Sequence, residues 1–161
     1  MTVAHDVFSE TNPAFCTYAL AAFTTAYLSL NNDGPEAPLA YLALPLALSG
    51  DLAAAFAGTN KNTGLLEWLE RNPRVEVGLA ARLNATMDIV TEAVRFACFT
   101  RVLKFDDRAR LRLGPARLKK SATKVLSEQP AHAIKHAERL GYWFAMTGST
   151  RAVFNMMGLT V

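Results

Sequence analysis

Residues 87–113 read MDIVTEAVRFACFTRVLKFDDRARLRL, and a change of rhythm inside this stretch decides the fold. Up to Thr100 the apolar side chains recur at helical spacing, with Ile89, Val90, Ala93, Val94, Phe96 and Ala97 inward and Asp88, Glu92 and Arg95 outward. Beyond Thr100 the period shortens. Val102-Leu103-Lys104-Phe105 and Ala109-Arg110-Leu111-Arg112-Leu113 are two short runs, the second strictly alternating, joined by Asp106-Asp107-Arg108 and closed by Gly114-Pro115. This predicts a helix followed directly by a β-hairpin. With short helices before it, the layout is winged-helix-like: residues 87–100 take the recognition position and 102–113 form the wing.

Working outward, Asn12-Pro13 is a helix-start signal, Asn as cap and Pro at the first helical position. That helix runs to about Leu30, with Phe15, Tyr18, Ala22 and Phe23 on one face, and Asn31-Asn32-Asp33-Gly34-Pro35 stops it. Residues 1–11 read as a lead-in strand or coil. Leu39 to Leu48 is apolar throughout and fits either a short helix or a buried strand. Short helices are expected at 51–57, capped by Ser49 or Asp51, and at 64–71, where Trp68 packs on the next element. Asn72-Pro73 starts a further helix carrying Val77, Ala80 and Leu83, which Asn84-Ala85-Thr86 interrupts. After the hairpin come a basic amphipathic helix at 117–127, a helix from Ala131 to about Met146, and a last one from Thr150 to Met157, capped by Ser149 and stopped by Gly158.

The 161 residues suit one domain that buries roughly 70% of its unfolded surface. We divide it into an N-terminal helical part (12–73), a helix-plus-hairpin part (74–114) and basic C-terminal helices (115–161). A composition 51% hydrophobic and 19% charged excludes a disordered chain. Cys16 and Cys98 lie in apolar runs 82 positions apart and form no CxxC motif, which fits buried thiols in a reducing cytoplasm. Thr11 to Asn32 is free of charge for 22 residues, long enough to span a bilayer. Its polar positions Thr17, Thr24 and Thr25, its five alanines and the lack of flanking Lys/Arg clusters favour a buried helix of a soluble protein, with no membrane contact.

Side chains suited to catalysis are sparse. His132 and His136 have a metal-ligand spacing on a helix, but Ala133 stands where a zincin motif has Glu, and no third ligand follows. We read them as solvated or partner-contacting. Asp106-Asp107 fall in a turn, where Asp bonds the local backbone. Glu67 and Glu70 lie beside Lys61, Arg71 and Arg74 and read as solvated. GxxxxGK[ST], GxGxxG and GxSxG motifs are absent. The expectation is a chain without enzymatic activity, cofactor or metal.

Charge is distributed unevenly. Residues 1–100 carry five Lys/Arg against ten Asp/Glu, and 101–161 carry twelve against four. Nine cations fall within 24 residues: Arg101, Lys104, Arg108, Arg110, Arg112, Arg117, Lys119, Lys120 and Lys124. Arg108, Arg110 and Arg112 would share one strand face, with Leu111 and Leu113 on the other. Such a row matches a phosphate backbone, an acidic protein partner, or a solvated strand edge guarded by charge. These three readings stay open.

Several stretches carry a resemblance: Asn12-Pro13-Ala14-Phe15, the apolar Pro38–Leu48 segment with its internal Pro45, Leu66-Glu67-Trp68-Leu69-Glu70-Arg71-Asn72-Pro73, Ala137-Glu138-Arg139-Leu140-Gly141-Tyr142-Trp143-Phe144-Ala145, and Val153-Phe154-Asn155-Met156-Met157-Gly158-Leu159. Together they resemble the middle components of bacterial three-component ABC systems, of which Lamassu-type defence is one. The resemblance implies a small, mainly α protein with a small β-hairpin and a winged-helix-like part. It also implies a non-enzymatic adaptor between an SMC/RecN-like ABC ATPase and an effector protein, in anti-phage or anti-plasmid defence. The alternative from the residues themselves is a winged-helix DNA-binding transcriptional regulator using residues 101–124.

Overall fold

The computed structural model describes residues 12–124, 126 and 128–160, so the expected lead-in at 1–11 lies outside the described residues. The chain is mainly helical with one small antiparallel sheet. Helix α1 (Pro13–Leu30) starts as its sequence dictates: Asn12 Oδ1 accepts the Ala14 N–H at 2.8 Å, and Pro13 fills the first position. Its buried stripe is Phe15, Ala19, Leu20, Phe23, Ala26 and Tyr27. Thr17 and Thr24 are buried too. Thr17 returns its hydroxyl to the Pro13 carbonyl at 2.8 Å, whereas Thr24 Oγ1 has no partner among the described residues.

The ambiguous run 39–48 is helical, as α2 (Ala37–Leu48), and Pro45 lies inside it. Leu39, Ala40, Leu42, Ala43, Leu44 and Leu46 are all buried, so burial on every side had erased the periodicity. No single helix among the described residues is long and apolar enough to cross a membrane. The chain next makes a 3₁₀ segment (Gly50–Phe56), helix α3 (Leu65–Arg71) and a second 3₁₀ turn (Pro73–Glu76).

Here two expectations fail. The helix predicted from Asn72-Pro73 ends after one turn, because Gly78 adopts a left-handed conformation (φ 66°) and restarts the chain as α4 (Leu79–Phe99). Val77, expected inward, is consequently exposed. Helix α4 then runs through Asn84-Ala85-Thr86 without interruption, the Thr86 hydroxyl donating to the Arg82 carbonyl at 2.9 Å. Val90, Ala93, Val94 and Ala97 are buried as expected, but Phe96 is partly exposed.

Strands β1 (Leu103–Phe105) and β2 (Leu111–Leu113) pair antiparallel, with Leu103 opposite Leu113 and Phe105 opposite Leu111. Leu103 and Leu111 are buried on the helices. Of the basic helix expected at 117–127, one turn forms among the described residues, α5 (Lys120–Thr123), while positions 125 and 127 lie outside the described residues. Four cations (Arg117, Lys119, Lys120, Lys124) with no acidic residue among positions 117–127 repel one another, and Ser121 and Thr123 are poor helix formers. Helices α6 (Glu128–Thr147) and α7 (Thr150–Met156) complete the chain, with Ser149 Oγ accepting the Ala152 N–H as cap.

The deepest packing is between α1 and α6. Gly141 makes it possible: a Cβ there would collide with the Phe23 carbonyl and the Ala26 side chain. Phe23 then meets Phe144 edge-on at 5.9 Å. Beside this seam, Phe56, Trp68, Trp143 and His136 form a nest. Phe56 stacks on His136 at 4.1 Å and lies 4.9 Å from Trp68, which lies 5.3 Å from Trp143. Both indoles are satisfied, Trp68 donating to the Ala55 carbonyl at 2.9 Å and Trp143 to the Asn60 carbonyl at 3.0 Å. The 3₁₀ segment and the loop after it are thereby pinned to α3 and α6. His136, expected to be solvated or partner-contacting, is a buried member of this nest; His132 is exposed.

Candidate interaction surface

The hairpin turn builds the best-defined polar cluster. Asp106 Oδ1 accepts the N–H groups of Arg108 (2.9 Å) and Arg110 (3.0 Å), the local bonding its position predicts. Those bonds hold its carboxyl below the usual range. Ala109 takes a left-handed conformation (φ 58°), so the strand ladder begins only at Leu111. The three arginines do converge on one face, but that face is occupied by the protein itself. Arg108 meets Asp33 at 2.8 Å. Arg110 donates to the Gly34 carbonyl at 2.9 Å and lies 3.6 Å from Glu36. Arg112 donates to the Asn32 carbonyl and lies 3.6 Å from Asp106. The Leu111 N–H reaches the Pro35 carbonyl at 2.8 Å, and Glu36 bridges to Arg110 along the backbone. Gly34 is needed here, with φ 78° and Leu111 carbonyl oxygen where a Cβ would sit.

The result is a clamp between hairpin and α1–α2 loop. Arg108 also draws the Asp33 carboxyl below its ordinary range through their hydrogen bond and charge, while its own guanidinium is raised by Asp33. Glu36 extends the clamp to α7, accepting the Thr150 hydroxyl at 2.9 Å. The segment 31–35 does more than stop the helix. Its signal for more was that Asp33 and Glu36 are the only acidic residues between Glu10 and Asp51.

The remaining cations sit differently. Arg101 is exposed, at the end of α4, with φ 63°. Lys104 is exposed on β1. Arg117 donates to the Gly114 carbonyl at 3.3 Å. Lys119, whose carbonyl accepts the Tyr18 hydroxyl at 3.3 Å, and Lys120 at the start of α5 are exposed, as is Lys124. None of these six is ion-paired among the described residues. Phe99, which the sequence reading passed over, is 87% exposed two residues before Arg101.

Elsewhere, an apolar groove runs between α2 and α4, walled by Pro38, Tyr41, Leu42, Leu83, Met87 and Phe154. Among the described residues no three His, Cys, Asp or Glu side chains gather to hold a metal ion. Burial, aided by the charges of Arg139 and His132, lowers His136 to about 4, so it stays neutral in the nest. Burial pushes the Cys98 thiol up, away from the thiolate form.

Residues 3–161 match the family model for the ABC-three component (ABC-3C) system Middle Component 3. The chain belongs to this family. No curated protein and no solved structure matches it. As a Middle Component 3 protein, it is one part of an ABC-three component system.

Proposed function

We propose that this Middle Component 3 protein is a non-enzymatic adaptor. It links an SMC/RecN-like ABC ATPase to an effector protein in the cytoplasm, as part of a prokaryotic anti-phage or anti-plasmid system. The family match over residues 3–161 carries this reading. The side-chain chemistry agrees with it. The buried histidine is neutral and packed, the cysteine thiol beside the hairpin is raised, and the acidic groups with lowered pKa values serve ion pairs and turns. What the surface does offer is contact area: an apolar groove, an exposed phenylalanine and a cationic strip without ion pairs among the described residues.

The DNA-binding alternative loses support on two counts. The arginine row that would follow a phosphate backbone is engaged on Asp33, Gly34 and Glu36. The outer face of α4, the recognition position in a winged-helix layout, presents Asp88 and Glu92 with a single arginine, Arg95, that is paired to Glu92.

Affinity purification of the tagged chain, co-expressed with the other two components of its system, tests the adaptor reading. The expected result is one complex containing all three. Recovery of the chain alone, or with salt-sensitive duplex DNA as its only ligand, would overturn it.

A further inference from the structure

We propose that the C-terminal end of α4 and the strip from Arg101 to Lys120 form a docking surface for an acidic segment bearing apolar side chains on another component of the same system. This rests on the adaptor reading and adds the face and the chemistry of its partner.

Three observations carry it. The first is the aromatic exposure. Phe99 is 87% exposed and Phe96, one turn earlier on α4, is 38% exposed. Single exposed apolar residues are ordinary, but two aromatic rings at adjacent positions of one helix end make a patch.

The second is Arg101 itself. The Val102 N–H returns to the Ala97 carbonyl at 3.0 Å and the Arg101 N–H to the Cys98 carbonyl at 3.1 Å, the paired bonds of a Schellman ending. Arg101 occupies the left-handed position of that motif, where glycine is favoured. Its guanidinium makes no ion pair or hydrogen bond among the described residues, so the fold does not account for an arginine there.

The third is how the chain gathers the cations. The Gly114 N–H donates to the Val102 carbonyl at 2.8 Å and the Ala116 N–H to the Arg101 carbonyl at 3.0 Å. These bonds lay residues 114–116 alongside 101–102, with Arg117 the next residue in the chain. Lys104 stands one strand pair along, and Lys119 and Lys120 continue the strip. The same stretch therefore holds two kinds of cation: Arg108, Arg110 and Arg112 are spent on the protein's own acids, and these five pair with no acid among the described residues. Aromatic rings with arginine and lysine around them match the make-up of a protein interface, an apolar centre with a polar rim.

Charge selects the occupant. A partner that neutralises this strip is acidic, and one that covers Phe96 and Phe99 has apolar side chains. A compact acidic segment satisfies both. A continuous phosphate backbone running on along α4 or over the hairpin would meet exposed Asp88 and Glu92 on the helix, the latter paired with Arg95, and Asp107 at the hairpin tip.

The test uses the three-component complex with a benzoylphenylalanine photocrosslinker in place of Phe99, together with Phe99→Ala, Arg101→Gly, and Arg101→Glu combined with Lys104→Glu. Arg71→Glu on α3 is the charge-reversal control away from the strip. Crosslinks should map to an acidic segment of one component and fade in 0.5 M NaCl. Phe99→Ala and the double reversal should weaken that pairing at least ten-fold. Arg101→Gly should weaken it while leaving the melting temperature equal or higher, which a purely structural arginine would not do. Arg71→Glu should change nothing. A complex that forms normally with Phe99→Ala, or crosslinks to a second copy of this chain or to a basic segment, overturns the inference and leaves the adaptor reading standing. Loss of the crosslink to added duplex DNA at 0.1 M NaCl assigns the face to nucleic acid and overturns it too. If the unmodified chain forms no complex, the adaptor reading falls and the inference with it.

Discussion

The aromatic nest and the arginine clamp hold the same chain by opposite means. The nest joins Phe56, Trp68, His136 and Trp143 in a region from which water is nearly excluded, and both indole N–H groups find carbonyls. The clamp ties hairpin to loop through charged groups that solvent reaches: Arg108 and Asp33 are each 58% exposed. Buried aromatic area is strong and indifferent to salt. Exposed ion pairs are weak, screened and separable. One region is built to stay fixed, while the other is held by contacts that ionic conditions can loosen.

The largest expected effect breaks the nest. Trp143→Ala removes a fully buried indole and orphans the Asn60 carbonyl. It should cost about 3–5 kcal/mol, a fall of roughly 6–20 °C in a thermal melt followed by circular dichroism. The second separates the regions by pH. His136 is held to about 4 in the fold, against its ordinary 6.5, so the unfolded chain takes up the proton first. Its share of stability is complete above pH 6.5 and is lost as pH falls toward 4, on the order of 3 kcal/mol. Denaturant melts between pH 7 and 4 should show this slope, and His136→Phe should flatten it. Asp33 and Asp106, held below 3.8, lose their share only at pH values under that range.

The third effect is smaller and belongs to the clamp. Glu36→Gln removes the charge that faces Arg110 and weakens the acceptor of Thr150. It should cost about 0.5–1 kcal/mol in low salt, with the difference shrinking in 1 M NaCl. Hydrogen exchange should quicken at 31–36 and 106–112 and stay unchanged around Trp68. The smallest effect runs the other way. Ala109→Gly relieves a left-handed alanine in the turn and should gain about 0.5 kcal/mol, read as a shift in the denaturant midpoint.

Much of this architecture is legible in the residues, because its signals are local. The cap at Asn12, the cap at Ser149, the change of period after Thr100 and the turn bonding of Asp106 each depend on a few neighbouring side chains. What escaped depends on distant partners. Helix α2 is buried all round, so its pattern carried no period. His136 looked solvated because the ring that covers it, Phe56, lies 80 positions away in the sequence. Val77 read as part of a helix because nothing in the apolar pattern marks the left-handed glycine after it, Gly78, as the point where one turn ends and α4 begins.

The cationic stretch was legible as a cluster but not as two populations. Alternation put Arg108, Arg110 and Arg112 on one face, and only the folded loop shows that Asp33 and Glu36 lie there to meet them. The resemblance to middle components was carried by helix and loop motifs from Asn12 to Leu159, close to the span the family model matches. The exposure of Phe99 was written in the helical period, since it continues the outward line of Asp88, Glu92 and Arg95, but its apolar side chain masked that signal.

The most direct measurement of the account is whether the ATPase and the effector associate with and without this chain. With the tagged ATPase immobilised and the effector supplied in solution, the account predicts that the effector is retained when this chain is present and washes through when it is left out. Retention of the effector on the ATPase without the chain, or binding of the chain to one of the two and never to both, would contradict it.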